Sequence, residues 1–327
     1  MNVLIIVVPC YNEQDVLTET ASRLGLVISR LVASEKIHPD SLVLFVDDGS
    51  RDRTWAIIAE LTHTRPCFAG LKLARNVGHQ CALLAGLLAA PGDLVISIDA
   101  DLQDDPNVIE QMVDAGLSGT DVVYGVRHER TSDSPFKRWT ALAFYRLMRA
   151  LNTEVIENHA DYRLMSRRAI DALREFGEVN LFLRGLVPMI GFSSQIVYYT
   201  RAERFAGQSK YPLRRMIGLA LDGVTSLSSF PLRLITLVGL SIFLATTIMS
   251  AWTLGAALFT NSTVPGWAST VLPLYLLSGV QILSIGILGE YLGKTYLETK
   301  RRPRFFVEQC LGFGQSQAGG GDQKSIH

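Results

Sequence analysis

The sequence predicts an α/β domain built on a mostly parallel sheet, followed by interfacial helices and a two-helix transmembrane hairpin. Three observations predict it. Short β-branched runs alternate with helical stretches of about 10–15 residues from residue 3 to residue 126, the pattern of βαβ units. Each of several runs ends in a polar cluster rich in Asp, Asn or Gly. Finally, the 56 residues from Leu234 to Gly289 contain no Asp, Glu, Lys or Arg, in a chain that is otherwise 19% charged.

Taken in order, Val3–Pro9 is a first buried strand, and Asn12–Glu13 opens a helix through about Leu31. Leu42–Val46 is a second strand, closed by Asp47-Asp48-Gly49-Ser50, with Asp52 capping a helix to about Leu61. Phe68–Leu73 is a third strand, and Gly78–Ala90 a small-residue helix. Leu94–Ile98 is a fourth, followed by a helix from Pro106 to about Ala115, and Asp121–Val126 is a fifth. The first residues run straight into a strand and Pro9, with no basic n-region, so a signal peptide is not expected.

Thirty-one basic and 31 acidic residues cancel, which gives no electrostatic footprint for nucleic acid. Cys10, Cys67, Cys81 and Cys310 lie far apart without C-x-x-C spacing, and read as reduced thiols rather than a disulfide frame or zinc site.

The stretch Ile96-Ser-Ile-Asp-Ala-Asp-Leu-Gln-Asp-Asp-Pro106 organises the chain. Asp99 and Asp101, two apart on an extended segment, project to one side and offer hard oxygen ligands to Mg²⁺ or Mn²⁺. Ligands of open α/β sheets collect at the carboxyl ends of strands, where these acids sit. Alone, the pair is better read as a polar loop, with Asp105 capping a helix that begins at Pro106. Three further clusters fall on the same edge: Val8-Pro-Cys-Tyr-Asn-Glu13, Val46-Asp-Asp-Gly-Ser50 and Ala74-Arg-Asn-Val-Gly-His-Gln80.

Beyond the sheet, Phe136–Leu151 interleaves Lys137, Arg138, Arg146 and Arg149 with an apolar face, which suits a membrane-surface helix or a solvated one equally. Tyr211–Phe230 reads as an interfacial amphipathic helix. Leu232–Phe259 and Ala268–Gly293 are each long enough to cross a ~30 Å hydrocarbon core. Arg214, Arg215 and Arg233 precede the first span, and Lys294, Lys300, Arg301, Arg302 and Arg304 follow the second. The positive-inside rule then places both termini in the cytoplasm. The expected divisions are 1–210 for the sheet domain, 211–231 for the interfacial helix, 232–296 for the hairpin and 297–327 for a basic segment and disordered tail.

The clusters above, with Asn158-His-Ala-Asp-Tyr-Arg-Leu-Met165, Arg201-Ala-Glu-Arg-Phe-Ala-Gly-Gln-Ser-Lys-Tyr211 and Gly289-Glu-Tyr-Leu-Gly293, resemble the GT-A glycosyltransferases of family 2. More narrowly they resemble the polyprenyl-phosphate glycosyltransferases, bactoprenol-phosphate glucosyltransferases more than dolichol-phosphate mannose synthases, over roughly Asn2–Phe306. The resemblance implies a GT-A (Rossmann-like) domain and inverting transfer of one sugar, glucose from UDP-glucose first, to undecaprenyl phosphate at the cytoplasmic face of the bacterial inner membrane. No Gln-x-x-Arg-Trp, the signature of processive synthases, is present. GDP-mannose or a modified UDP-pentose is the alternative donor, and a non-catalytic nucleotide-sugar-binding membrane adaptor is the rival class.

Carried onto this sequence, the family's roles place Pro9, Tyr11, Asn12, Glu13 and Asp48 on the nucleotide base and ribose, and Asp99 on ribose or sugar hydroxyls. They place Asp101 and Gln103 on the metal, leave Asp104 and Asp105 to the loop and helix cap, and make Asp161 the catalytic carboxylate, as base or as positioning group. Two anionic substrates must meet, and Arg127, Arg130, Arg201, Arg204, Ser209 and Lys210 are the expected phosphate contacts. His79, His128 and His159 read as structural or surface histidines. Family members can assemble as homo-oligomers, and the apolar stretch Leu181–Phe192 is open to that use or to lining the acceptor entrance.

Overall fold

The computed structural model describes residues 1–127, 159–178, 181–200 and 267–313, with isolated helical positions between 235 and 248. The Phe136–Leu151 helix, the interfacial helix at 211–231 and most of the first expected span lie outside the described residues, as do Arg130, Arg201, Arg204, Ser209 and Lys210. The chain divides into two compact units, Met1–Met216 with Arg301–His327, and Ile217–Lys300.

The first unit is an eight-stranded mixed sheet in the order β7-β5-β6-β4-β1-β2-β3-β8. Its strands are β1 (Leu4–Cys10), β2 (Leu42–Asp47), β3 (Phe68–Leu73), β4 (Leu94–Ser97), β5 (Val122–Arg127), β6 (His159–Ser166), β7 (Ser194–Tyr199) and β8 (Val307–Leu311). The helices are α1 (Leu17–Ala33), α2 (Thr54–Thr64), α3 (His79–Ala89), α4 (Val108–Leu117), α5 (Arg167–Arg174) and α6 (Leu183–Met189). Strands β1–β4 pair in parallel, as their continuous apolar runs predict. By contrast β6 runs antiparallel between β4 and β5, and β8 runs antiparallel on β3.

Every residue of β1 is buried. Alternate side chains serve opposite faces: Leu4, Ile6 and Val8 join a core with α1 and α4, while Ile5 and Val7 join one with α3, α5 and α6. Helix α1 buries Leu17, Ala21, Leu24, Ile28 and Leu31 at helical spacing. Burying a side chain of this size stabilises by about 1.5–3 kcal/mol before chain entropy is counted. The chain passes from β1 to β2 and β3 on one side and then to β4 on the other, so β1 and β4 flank a topological switch point. That crevice, at the carboxyl ends of the strands, is where open α/β sheets bind ligands.

The expected helix starts shift. Residues 13–16 form a turn before α1 begins at Leu17, and α4 begins at Val108 rather than Pro106 because Asp105 accepts from the Asn107 amide at 2.9 Å. In the apolar stretch Leu181–Phe192, Leu183, Leu186 and Val187 are core residues of α6. Residues 307–311, expected within a basic segment and tail, instead form β8.

In the second unit, α7 (Trp267–Lys300) runs 34 residues and contains the second expected span. Among the described residues no helix is long and apolar enough to cross a membrane, so the hairpin is not shown.

Gly49 illustrates how tightly the loops at the crevice are fitted. Its φ is +64°, and an added Cβ would lie 2.6 Å from the Asn76 amide nitrogen. Gly49→Ala should therefore destabilise by about 1–3 kcal/mol, read as a lower denaturant midpoint. Gly119→Ala, where a Cβ meets nothing within 4 Å, should cost less.

Candidate active site

Four loops converge on the crevice, and backbone bonds lace them together. After β1, Asn12 takes a left-handed conformation (φ 54°), its amide donates to Ser50 Oγ at 3.0 Å, and its side-chain oxygen accepts from the Arg51 amide at 2.9 Å. The Glu13 amide donates to Thr54 Oγ1 at 2.9 Å. Tyr11 is exposed and Pro9 lies within β1. Asp48 is buried, and its two oxygens accept from the Val77 and Gly78 amides at 2.7 and 3.0 Å. Burial pushes its carboxyl up against the pull of those amides. Asp48 thus anchors the loop before α3.

The acidic turn after β4 is held from three sides. Thr20 Oγ1 donates to the Ala100 carbonyl at 2.8 Å, and the Tyr162 hydroxyl donates to the Asp105 carbonyl at 3.0 Å. Buried Asp104 accepts from the Tyr199 hydroxyl and from Arg127 Nη2 at 3.4 Å. Leu102, buried at the apex, has φ 56°, a costly conformation for a residue with a branched side chain. Asp101 Oδ1 accepts from the Gln103 amide at 3.2 Å.

Arg127, an expected phosphate contact, donates to Asp104 and, through its Nε at 3.2 Å, to the Tyr199 hydroxyl. Asp104, left to the loop by the sequence, is the buried node of that group.

Asp101, Asp99 and Gln103 supply hard oxygens, the donor chemistry that Mg²⁺ or Mn²⁺ takes. Among the described residues no group of three or more His, Cys, Asp or Glu comes together to hold a metal. Asp101 and Gln103 have the donor chemistry of a cation that completes its shell with phosphate and water oxygens, as Mg²⁺ commonly does.

Asp161 lies beside this turn, its side chain 3% exposed. Arg163 Nη2 donates to its Oδ1 at 2.8 Å, Gln80 Nε2 to its Oδ2 at 3.2 Å, and Arg184 to both oxygens, at 3.3 and 3.1 Å. His79 Nε2 stands 3.4 Å from Asp161 Oδ2 and 3.6 Å from Asp99 Oδ1. Burial alone would raise the Asp161 pKa, but Arg184, His79 and Arg163 outweigh it and hold the carboxyl well below its usual range. Burial would also lower His79, and the Asp161 and Asp99 carboxylates reverse that, raising it to about 9. Asp99, pushed by burial, rises to about 6.

Gln80, Arg163 and Arg184 are residues that sequence reasoning left without a role, and His79, read as structural or surface, stands between two carboxylates. His79 and Gln80 stood in the third polar cluster. Arg163 repeats, with Asp161, the same-side i, i+2 spacing that marked Asp99 and Asp101.

Polar loops laid over a topological switch point define a ligand-binding α/β domain, and its relatives make the protein a glycosyltransferase. The chain belongs to glycosyl transferase family 2, whose domain matches residues 5–174. It is 49% identical over 310 residues to the uncharacterized glycosyltransferase YkoT of Bacillus subtilis, covering 94% of this chain and 91% of that one. It is 37% identical to the bactoprenol glucosyl transferase of Shigella phage SfX, over 93% and 98% of the two chains. With the prophage bactoprenol glucosyl transferase homolog of Escherichia coli it shares 40% identity over 82% and 88%. Among solved structures, glucosyl-3-phosphoglycerate synthase from Mycobacterium tuberculosis with Mn²⁺, UDP and phosphoglyceric acid aligns at TM-score 0.48 and 20% identity, over 69% and 77% of the two chains.

Removing Asp161 leaves Arg163, with 0% side-chain exposure, as an uncompensated buried cation. Asp161→Ala should cost about 3–5 kcal/mol in chemical denaturation, and adding Arg163→Met should restore most of it. The His79 contribution has the opposite pH sense to a depressed carboxylate. Because its folded pKa is raised, its stabilisation is complete below about 6.5 and lost as pH rises through about 9. The difference in unfolding midpoint between wild type and His79→Gln should therefore vanish above that pH.

Proposed function

We propose that this chain transfers a single hexose, glucose from UDP-glucose first, to the phosphate of a polyprenyl phosphate, with inversion at the anomeric carbon. One observation supports the chemistry best: His79 stands between Asp99 and Asp161 beside the switch point, and Arg184, His79 and Arg163 hold the Asp161 carboxyl well below its usual range. The acceptor reading rests on near-full-length relatives named bactoprenol glucosyl transferase and on the uncharged residues 234–289.

In this reading Tyr11, Asn12, Glu13 and Asp48 frame the base and ribose, and Asp99 meets donor hydroxyls. Asp101 and Gln103 hold the Mg²⁺ or Mn²⁺, which supplies charge neutralisation for the nucleoside diphosphate. A phosphate monoester has its second pKa near ~6, so the attacking oxygen is already ionised at neutral pH. Asp161, held far below neutrality, is a poor proton acceptor there, and serves as a positioning and electrostatic group rather than a base. The lipid phosphate oxygen forms the new bond at the anomeric carbon as the bond to the diphosphate breaks. Arg130, Arg201, Arg204, Ser209 and Lys210 remain the sequence-derived candidates for bringing the two anions together. The hairpin at about 232–259 and 268–293 would anchor the enzyme in the bacterial inner membrane, with the sheet domain and both termini cytoplasmic and the acceptor's phosphate at the interface.

Purified protein incubated with Mg²⁺, undecaprenyl phosphate and UDP-glucose, GDP-mannose or UDP-pentoses should yield a hexosyl lipid from UDP-glucose by mass spectrometry. No lipid-linked product from any donor would overturn the assignment in favour of an adaptor. Asp101→Ala should lower turnover by about 100-fold or more with an unchanged unfolding midpoint.

A further inference from the structure

Arg127 and Tyr199 close strands β5 and β7, and the parallel pairing sets them side by side. Buried Asp104 reaches the same point from the acidic turn. The three side chains close a ring. Arg127 Nε donates to the Tyr199 hydroxyl at 3.2 Å, Tyr199 donates to Asp104 Oδ1, and Arg127 Nη2 donates to that same Oδ1 at 3.4 Å. Tyr199 is fixed in turn, its ring edge-on to Tyr162 with 5.4 Å between centroids. Burial, and then Asp104, push its hydroxyl well up, so it remains a proton donor at any physiological pH.

Nε and Nη2 are one edge of a rigid planar fork. Bound at two points, that edge fixes the plane of the guanidinium, where a single bond would leave it a hinge. A carboxylate that serves only to neutralise an arginine takes two of its N–H groups. Asp104 takes one, at a long distance, and makes its second hold through a neutral hydroxyl, so the charge is held but not cancelled. Nη1 is the remaining arm. It makes no hydrogen bond among the described residues, and it is not one of the enclosed atoms that lack a partner. Burial works against the Arg127 charge, and Asp104, Tyr199 and Asp99 outweigh it. The influence of Asp99 puts the guanidinium within electrostatic reach of the position proposed for the donor's hydroxyls. An arginine ordered in this way has already lost, on folding, the rotamer freedom that a ligand would otherwise have to restrict.

We infer that Asp104 and Tyr199 are positioning residues for Arg127, holding its guanidinium in a fixed plane for a substrate phosphate. This rests on the anionic substrates proposed above, and it adds two residues that act through a third. The phosphate belongs either to the acceptor's monoester or to the donor's diphosphate. Both present the same oxygens to a guanidinium, and the kinetics of the two substrates tell them apart.

The test is a double-mutant cycle in the full chain, with Asp104→Asn, Arg127→Gln and their combination, and with Tyr199→Phe beside them. Asp104→Asn keeps the shape and an accepting oxygen and removes the charge. Tyr199→Phe keeps the ring on Tyr162 and removes only the hydroxyl. Each should raise the KM of one substrate roughly 5- to 20-fold and leave the other within about twofold. A rise for undecaprenyl phosphate puts Arg127 on the acceptor, and a rise for UDP-glucose puts it on the donor. In the Arg127→Gln background, Asp104→Asn should add less than about twofold, because the group it acts through is gone. A residue that merely supports the fold would cost the same in both backgrounds and lower the unfolding midpoint. That result, an equal rise for both substrates, or no change in either KM overturns the inference and leaves the proposed reaction standing. Calorimetric titration with farnesyl phosphate and with UDP reads the same contact without turnover. The same non-additive loss of affinity in a protein that glycosylates no lipid would sustain the inference and overturn the reaction.

Discussion

The ion pair between Asp161 and Arg163, buried inside the sheet on a single strand, is the constraint around which the crevice is arranged. Desolvating two charges is expensive, and mutual attraction repays it only when every remaining lone pair and proton finds a partner. That demand recruits the neighbours. Gln80 and His79 come from the start of α3, Arg184 comes from α6, and the Ser97 hydroxyl on β4 donates to the Asp161 carbonyl. Each of these contacts positions a different element, so the charge pair sets the mutual register of β4, β6, α3 and α6. One atom escapes the accounting: Arg163 Nε is buried without a hydrogen-bond partner among the described residues. The pair is thus not an optimised stability device, which suits a site that keeps its charges for chemistry.

The same logic separates the two halves of the acidic turn. Asp104 and Asp105 are consumed in building it, through Tyr199, Arg127 and Tyr162, and Leu102 absorbs a strained backbone angle at its apex. Asp99 and Asp101 are what the turn presents. A rigid frame of this kind leaves little reorganisation for the moment when charge develops on a departing group, which is the condition for electrostatic stabilisation to be strong.

Much of this was legible in the sequence. Strands β1 to β5 follow from apolar runs closed by turn residues, and the four polar clusters announce their own shared edge. The remainder was hidden for physical reasons. Strand β6 carries Asp161 and Arg163 where a buried strand should be apolar, so hydrophobic patterning could not find it, although the family motif could. Strand β7 alternates weakly, since only Val197 and Tyr199 are buried along it. The partners of His79 were hidden because a cation at a helix N-terminus is locally unfavourable, and only carboxylates twenty or more residues away, Asp99 and Asp161, make it sensible. The partner of Arg127 was hidden in the same way, since the acid it meets lies 23 positions earlier.

Strand β8 gives the fold a history as well as a shape. It pairs with β3 antiparallel, yet more than 230 residues separate the two in the chain. At ordinary translation rates the edge of β3 waits on the order of ten to fifty seconds for its partner to be synthesised. Through that interval a long stretch of greasy chain leaves the ribosome while the sheet stands open, in the state most prone to wrong pairing. Lys72, the charged residue within β3, stands guard on that waiting edge, and in the finished protein it pairs with Glu308 of the strand that closes it. Assembly of the enzyme is therefore completed from its far end, and a nascent chain halted before that point would carry Asp48, Asp99, Asp101 and Asp161 on an unfinished sheet.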